Sequence, residues 1–182
     1  MTIATGEFSI AALSRVGIQM SRSDTSSLRW QPKALTQEQK QLAFALSFAN
    51  GETVRATLVG NGNEPSSLWS VLDALQRLAA LPPGWDSFGS KPLHAAAVRR
   101  LLSLAPVLLP PDGPEPSVIP TRHGGVQLEW HRSGVDLEVE VPPSDPITFL
   151  YADATAQEER EGIGAPNQDL VVRAFSKMIS AI

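Results

Sequence analysis

The fold turns on GVQLEWHRSGVDLEVEV, residues 125–141. Val126, Leu128 and Trp130 alternate with Gln127, Glu129 and His131; beyond Ser133-Gly134, Val135, Leu137, Val139 and Val141 alternate with Asp136, Glu138 and Glu140. A strand points successive side chains to opposite faces, so each half of the stretch has one apolar and one polar face. Ser133-Gly134, taken as a two-residue turn, then sets the pairing. Trp130 faces Leu137, Leu128 faces Val139 and Val126 faces Val141. Every apolar residue meets another, and a slip of one residue would destroy that match. On the reverse face Glu129 lies opposite Glu138, and His131 opposite Asp136.

The pattern extends in both directions. PPSDP at 142–146 makes the next turn and ITFLYAD at 147–153 a further strand. SVIPT at 117–121 adds an edge strand, the only place where its internal Pro120 is tolerated. The expectation is a three- to four-stranded antiparallel meander over 117–153, apolar on one face and acidic on the other. QEEREGIGAPN, residues 157–167, reads as a polar loop. A helix over 166–181 follows, with Leu170, Ala174, Phe175, Met178 and Ile182 along one side to cover the apolar face of the sheet.

Upstream, Leu68, Val71, Leu72, Leu75, Leu78 and Ala79 recur at helical spacing, with Ser66 or Ser67 as cap and Pro82-Pro83 as stop. A second helix is predicted over about 91–105, capped by Ser90, with Leu93, Ala97, Leu101, Leu104 and Ala105 as its stripe. Together these make a helical hairpin over 66–105. Six prolines, Pro106, Pro110, Pro111, Pro114, Pro116 and Pro120, then predict a semi-rigid connector over 106–120. Residues 36–50 carry conflicting signals. Thr36 and Gln39 resemble a capping box, whereas Leu42, Phe44, Leu46 and Phe48 alternate and Asn50-Gly51 marks a hairpin. The absence of β-branched residues tips the reading towards a helix ending at Asn50-Gly51, followed by a strand over Thr53–Val59. Residues 1–34 are rich in Ser, Thr and Ala, lack a period and read as a flexible arm ahead of a single α+β domain over 35–182. Within the arm, SIAALSRVGIQM at 9–20 could fold as a short helix on a partner.

Composition narrows the function. A net charge of −4 disfavours a dedicated nucleic-acid binder, and the absence of Cys rules out disulfides, thiolate metal sites and cysteine nucleophiles. The first residues show no basic-then-apolar leader, and the longest apolar run, LLSLAPVLLPP at 101–111, falls short of the ~20 residues a membrane span needs. The expected setting is the cytoplasm.

LPPGWDSFGSKP, residues 81–92, is the densest motif. Its prolines and glycines suit a corner between the two helices, with Trp85 and Phe88 folded beneath it and Asp86 bonding nearby N–H groups. The competing reading exposes Trp85, Asp86 and Phe88 as a recognition loop. GWDSFG is not a nucleophile elbow: Gly84 and Ser87 are one residue too far apart, and a helix precedes them where a strand is required.

GWDSFGSKP at 84–92 is similar to a GWDGYGA loop before a Pro-led helix, and PSVIPTRHGGVQLEW at 116–130 to a Pro-rich connector entering a GGVQLEW strand. In this order the two resemble a family of small uncharacterised bacterial proteins, over about residues 68–152. Ser87 and Phe88 stand where that pattern has Gly and Tyr. The family has no established activity, so the resemblance transfers no catalytic residue; by analogy it suggests one member of a two-protein bacterial system.

The polar sheet face holds the remaining chemistry. Glu129, His131, Asp136 and Glu138 could hold a divalent cation if they converged, yet carboxylates on an open face ordinarily stay hydrated. Their mutual repulsion invites a basic partner instead. The candidate binding residues are therefore Trp85, Asp86, Phe88, Glu129, His131, Asp136 and Glu138, with no catalytic residue, metal or cofactor assigned. A non-enzymatic protein-interaction module with a basic protein partner stands ahead of a metal-dependent or hydrolytic enzyme using the acidic face.

Overall fold

A computed structural model of the chain describes residues 17–21, 40–60 and 65–180. The residue 125–141 stretch folds as strands β5 (Val126–Arg132) and β6 (Val135–Val141), with Trp130 opposite Leu137, Leu128 opposite Val139 and Val126 opposite Val141. Ser133 and Gly134 take positive φ values of 58° and 74°, the mirror-image turn whose twist matches that of the flanking strands. β4 (Ser117–Pro120) pairs on one side, β7 (Thr148–Asp153) on the other, and β8 (Glu158–Ile163) closes a five-stranded antiparallel sheet in chain order. The sheet is thus wider than the expected three or four strands, and part of the segment read as a polar loop is β8. EEREGI has charged residues on both faces and a single apolar side chain, Ile163, at its end, so no alternation betrays it. It is held by its ladder to β7 and by Phe149, whose ring lies across Gly162. A Cβ on Gly162 would come within 2.2 Å of that ring, so glycine is what permits the contact.

The first sheet is a second difference from the sequence reading. β1 (Gly17–Ser21), β2 (Lys40–Ser47) and β3 (Thr53–Gly60) form an antiparallel sheet in the order β1-β3-β2. Residues 40–47 are strand, not the helix towards which the reading leaned. Leu46 and Phe48 are buried and Phe44 is packed against the core. Each such burial is worth ~1.5–3 kcal/mol, against helix-propensity differences of a few tenths per residue. The turn is built as its residues suggest: Gly51 has φ 84°, and the Glu52 N–H donates to Asn50 Oδ1 at 3.0 Å. Of the expected flexible arm over 1–34 only residues 17–21 are described, and they pair with β3. The remainder, the capping box at Thr36 and Gln39, and Ile182 lie outside the described residues.

Helix α1 (Ser66–Ala79) buries Leu68, Val71, Leu72, Leu75 and Ala79, and α2 (Ala95–Leu108) buries Ala97, Val98, Leu101, Leu102, Ala105 and Leu108. Their caps differ from the expected ones. Pro65 precedes α1 with no side-chain cap, and the Ser67 hydroxyl is buried without a partner. His94, not Ser90, caps α2, its Nδ1 accepting from the Ala96 N–H at 3.2 Å. Pro106 lies inside α2, so the connector is shorter than its prolines imply. One lost hydrogen bond in the last turn is offset by burial of Leu108 and Leu109. The two helices meet strands more than each other, which replaces the expected hairpin. α1 packs on β2 and β4; α2 touches both sheets, meeting β1 and β3 of the smaller and β5 and β6 of the larger.

Helix α3 (Gln168–Ser180) packs on β6 and α2, with Phe175 against Trp130 at 5.3 Å between ring centres. The Trp130 indole N–H donates to the Pro114 carbonyl at 2.9 Å, tying the connector to the core. The architecture is α+β with two antiparallel sheets and a C-terminal helix. Among the described residues no helix is long and apolar enough to cross a membrane.

Candidate functional site

Strand parity and register build the outer face of the larger sheet. Glu129 pairs with Glu138 and with Ser117, Glu138 with Leu150, and Leu150 with Glu161. The same parity places Ile119, Gln127, His131, Asp136, Glu140, Thr148, Ala152, Glu159 and Ile163 on this face. Six carboxylates therefore share it (Glu129, Asp136, Glu138, Glu140, Glu159 and Glu161), and none of its residues is Lys or Arg. Val126, Leu128, Trp130, Leu137, Val139 and Tyr151 point the other way and are buried.

The structure brings Glu129, His131, Asp136 and Glu138 together. His131 Nδ1 is 2.8 Å from Asp136 Oδ1 and Nε2 is 3.2 Å from Glu129 Oε2. Gln127 donates its amide to Glu129 Oε1 at 2.9 Å and to Glu138 Oε2 at 3.0 Å. The opposed glutamates do not simply repel: Gln127 bridges them and His131 faces one of them. The Asp136 carboxylate, and after it Glu129, raise the His131 pKa above its usual 6.5. With a carboxylate at each ring nitrogen the imidazolium is favoured, and that form has no lone pair for a metal. Glu129, His131 and Glu138 do place ligand atoms within 4.8 Å of one another. Those atoms are already engaged in hydrogen bonds, on an open face where the His131 side chain is 49% exposed.

Beside this cluster lies a shallow concavity of about 620 Å³. Leu150 and Thr148 line it together with Glu138, Glu140, Glu161 and Ile163. Gln127 also lines it, but of the four clustered groups Glu129, His131, Asp136 and Glu138 only Glu138 does, so the four do not converge in a pocket. Ile163 is 83% exposed, an apolar side chain beside three acids.

The loop at 84–92 lies elsewhere. Asp86 organises it, with Oδ1 accepting from the N–H groups of Phe88 and Ser90 at 2.9 and 3.1 Å and Oδ2 from the Ser90 hydroxyl at 2.5 Å. These bonds, the Ser90 hydroxyl foremost, hold the Asp86 pKa below its usual value, and Arg122 adds to the effect from 3.5 Å. The loop closes through Gly84 N–H to the Ser90 carbonyl at 2.8 Å and docks on the β4–β5 turn through Lys91 N–H to the Arg122 carbonyl at 2.9 Å. Trp85 is half-buried, its indole N–H 3.3 Å from the Lys91 carbonyl. Phe88 is the correction to the corner reading: it does not fold beneath the loop but stands 78% exposed, with the Arg122 guanidinium 5.4 Å from its ring centre. Sequence reasoning missed Arg122, Leu150, Glu159, Glu161 and Ile163. The last three were hidden in the segment taken for a loop, and Arg122 joins the site only through the docking of 84–92 on the β4–β5 turn.

Comparison with protein-family models, with curated proteins and with solved structures found no match to this chain.

Proposed function

We propose that this protein is a non-enzymatic interaction module whose acidic sheet face takes a basic protein partner. The observation that supports the reading is the gathering of Glu129, Asp136, Glu138, Glu140, Glu159 and Glu161 on one open face without a Lys or Arg among its residues. Clustered like charge attracts and orients an oppositely charged partner, and an open face leaves room for a macromolecule. Exposed ion pairs contribute only ~0–1 kcal/mol each, so apolar anchors must supply the rest. Leu150 and Ile163 offer such a surface beside the acids. The partner presents Lys or Arg flanking an apolar residue. The suggestion of a two-protein bacterial system rests on the motif resemblance at 84–92 and 116–130.

Calorimetric titration with a synthetic peptide of alternating Lys/Arg and Val tests this, against a Glu/Val peptide as control. The basic peptide binds the wild-type chain, more weakly as salt rises, and fails to bind a Glu129→Gln, Glu138→Gln, Glu140→Gln, Glu161→Gln variant. Equal binding of both peptides, or binding that the variant retains, overturns the reading.

A further inference from the structure

The concavity and the exposed loop are opposite in charge, and each carries an apolar side chain beside its charges. The concavity has Leu150 and Thr148 in its lining and Glu138, Glu140 and Glu161 around them. The loop projects Phe88, 78% exposed, with Arg122 against its ring and exposed Lys91 three residues on. The Asp86 carboxylate is engaged inside the loop by Phe88, Ser90 and Arg122, so the projection presents an aromatic ring with the Arg122 guanidinium against it and exposed Lys91 further along the same loop. It is also stiff. The bonds from Gly84, Phe88, Ser90 and Lys91 fix the backbone, and Ser87 is held at φ 63°, a conformation that few L residues adopt unless their surroundings impose it. A ring fixed before binding loses little entropy on insertion, and aromatic and arginine side chains are the types that dominate interface energies.

We infer that the concavity of one copy receives the Phe88 loop of a second copy of this chain. The inference rests on the proposed reading of the acidic face and names its occupant. Phe88 enters over Leu150 beside Ile163, while Arg122 and Lys91 meet Glu138, Glu140 and Glu161. Within one chain the loop does not occupy the concavity: Phe88 stands 78% exposed where the loop docks on the β4–β5 turn, and the concavity, lined by Gln127 of β5 and by residues of β6, β7 and β8, has no residue of the loop in its lining. The contact is therefore head-to-tail between unlike surfaces, and it continues from copy to copy unless rotation closes a ring.

Sedimentation equilibrium of the full chain, from micromolar to millimolar concentration and at low and high salt, gives the first readout. The average mass rises above the monomer's 19.5 kDa with concentration and falls back in high salt. Phe88→Ala in the loop and Arg122→Glu in the β4–β5 turn on which it docks, both at exposed side chains, each lower the association constant at least about tenfold. So does Glu138→Lys with Glu161→Lys in the concavity. The mixture is diagnostic: Arg122→Glu keeps a working concavity and the double lysine variant keeps a working loop, so together they form a 1:1 complex that grows no further. Thermal melts like that of the wild type confirm that each variant is folded. A wild-type mass of 19.5 kDa throughout, association that these substitutions leave unchanged, or a mixture that stays monomeric overturns the inference. The basic-peptide titration separates the two claims. A monomeric chain that binds the peptide refutes only self-association; one that binds neither refutes the acidic-face reading as well.

Discussion

Gly162 shows how one missing Cβ positions the outermost strand. Phe149 lies across it, and Gly162→Ala would push a methyl group to 2.2 Å from the ring. Phe149 must then shift, and we expect a loss of ~1–3 kcal/mol in urea unfolding, with the larger part recovered in a Gly162→Ala, Phe149→Leu double variant. His131 gives a second residue-scale expectation. Asp136 and Glu129 raise its pKa, so its NMR titration midpoint lies above 6.5 and falls in Asp136→Asn. The sign follows from linkage: the folded chain holds this proton more tightly than the unfolded one. The stability it contributes is complete below about pH 6.5 and is lost as pH rises through the raised value. A midpoint at or below 6.5 contradicts the paired geometry. These pairings were half legible in the sequence. Alternation placed Glu129 opposite Glu138 and His131 opposite Asp136, but nothing in it announced that Gln127 would bridge the two glutamates or that Phe88 would point outward.

Elements were legible where one face is apolar. β5, β6, α1 and α3 each carry a single buried stripe, so period alone identifies them. In β2, Gln, Ala and Leu serve either structure locally, and only the burial of Leu46 and Phe48, with Phe44 packed against the core, decides. β8 was missed because an edge strand with charged residues on both faces has no period to read. The element contact least visible in sequence joins α3 to β7. The Asp153 carboxylate is buried, accepts from Thr155 and Ala156 N–H at 2.9 and 3.0 Å, and pairs with Lys177. Lys177 foremost, with those N–H groups, lowers its pKa from 3.8 to about 2. The depressed folded value means that stability is present above pH 3.8 and drains away as pH falls towards 2. Urea midpoints measured across that window should fall steeply for the wild type and much less for Asp153→Asn, which starts lower at neutral pH. Parallel slopes would show that the pair does not hold α3.

The whole molecule separates its charges. The outer face of the larger sheet is acidic, while Lys91 and Arg122 stand at the β4–β5 end beside Phe88. The acidic face was foreseeable from residues 125–141 alone. Its extension through Glu159, Glu161 and Ile163, and the concavity, were not, because both depend on β8 joining the sheet. The internal pairing of His131 and Gln127 leads to a further expectation. Calorimetry with Zn²⁺, Mn²⁺ and Ca²⁺ at neutral pH shows no micromolar site, since a metal would have to displace hydrogen bonds that already satisfy its ligands. Metal binding that a Glu129→Gln, Glu138→Gln variant loses would favour the enzyme reading instead. The central claim, that the outer sheet face is where a basic partner docks, is tested most directly by mapping amide shifts of the isotopically labelled chain as the Lys/Arg-Val peptide is added. The account predicts saturable shifts concentrated at Gln127, Glu138, Leu150, Glu161 and Ile163, and erased by high salt. Shifts confined to the helices or the smaller sheet, or none at peptide excess, would contradict it.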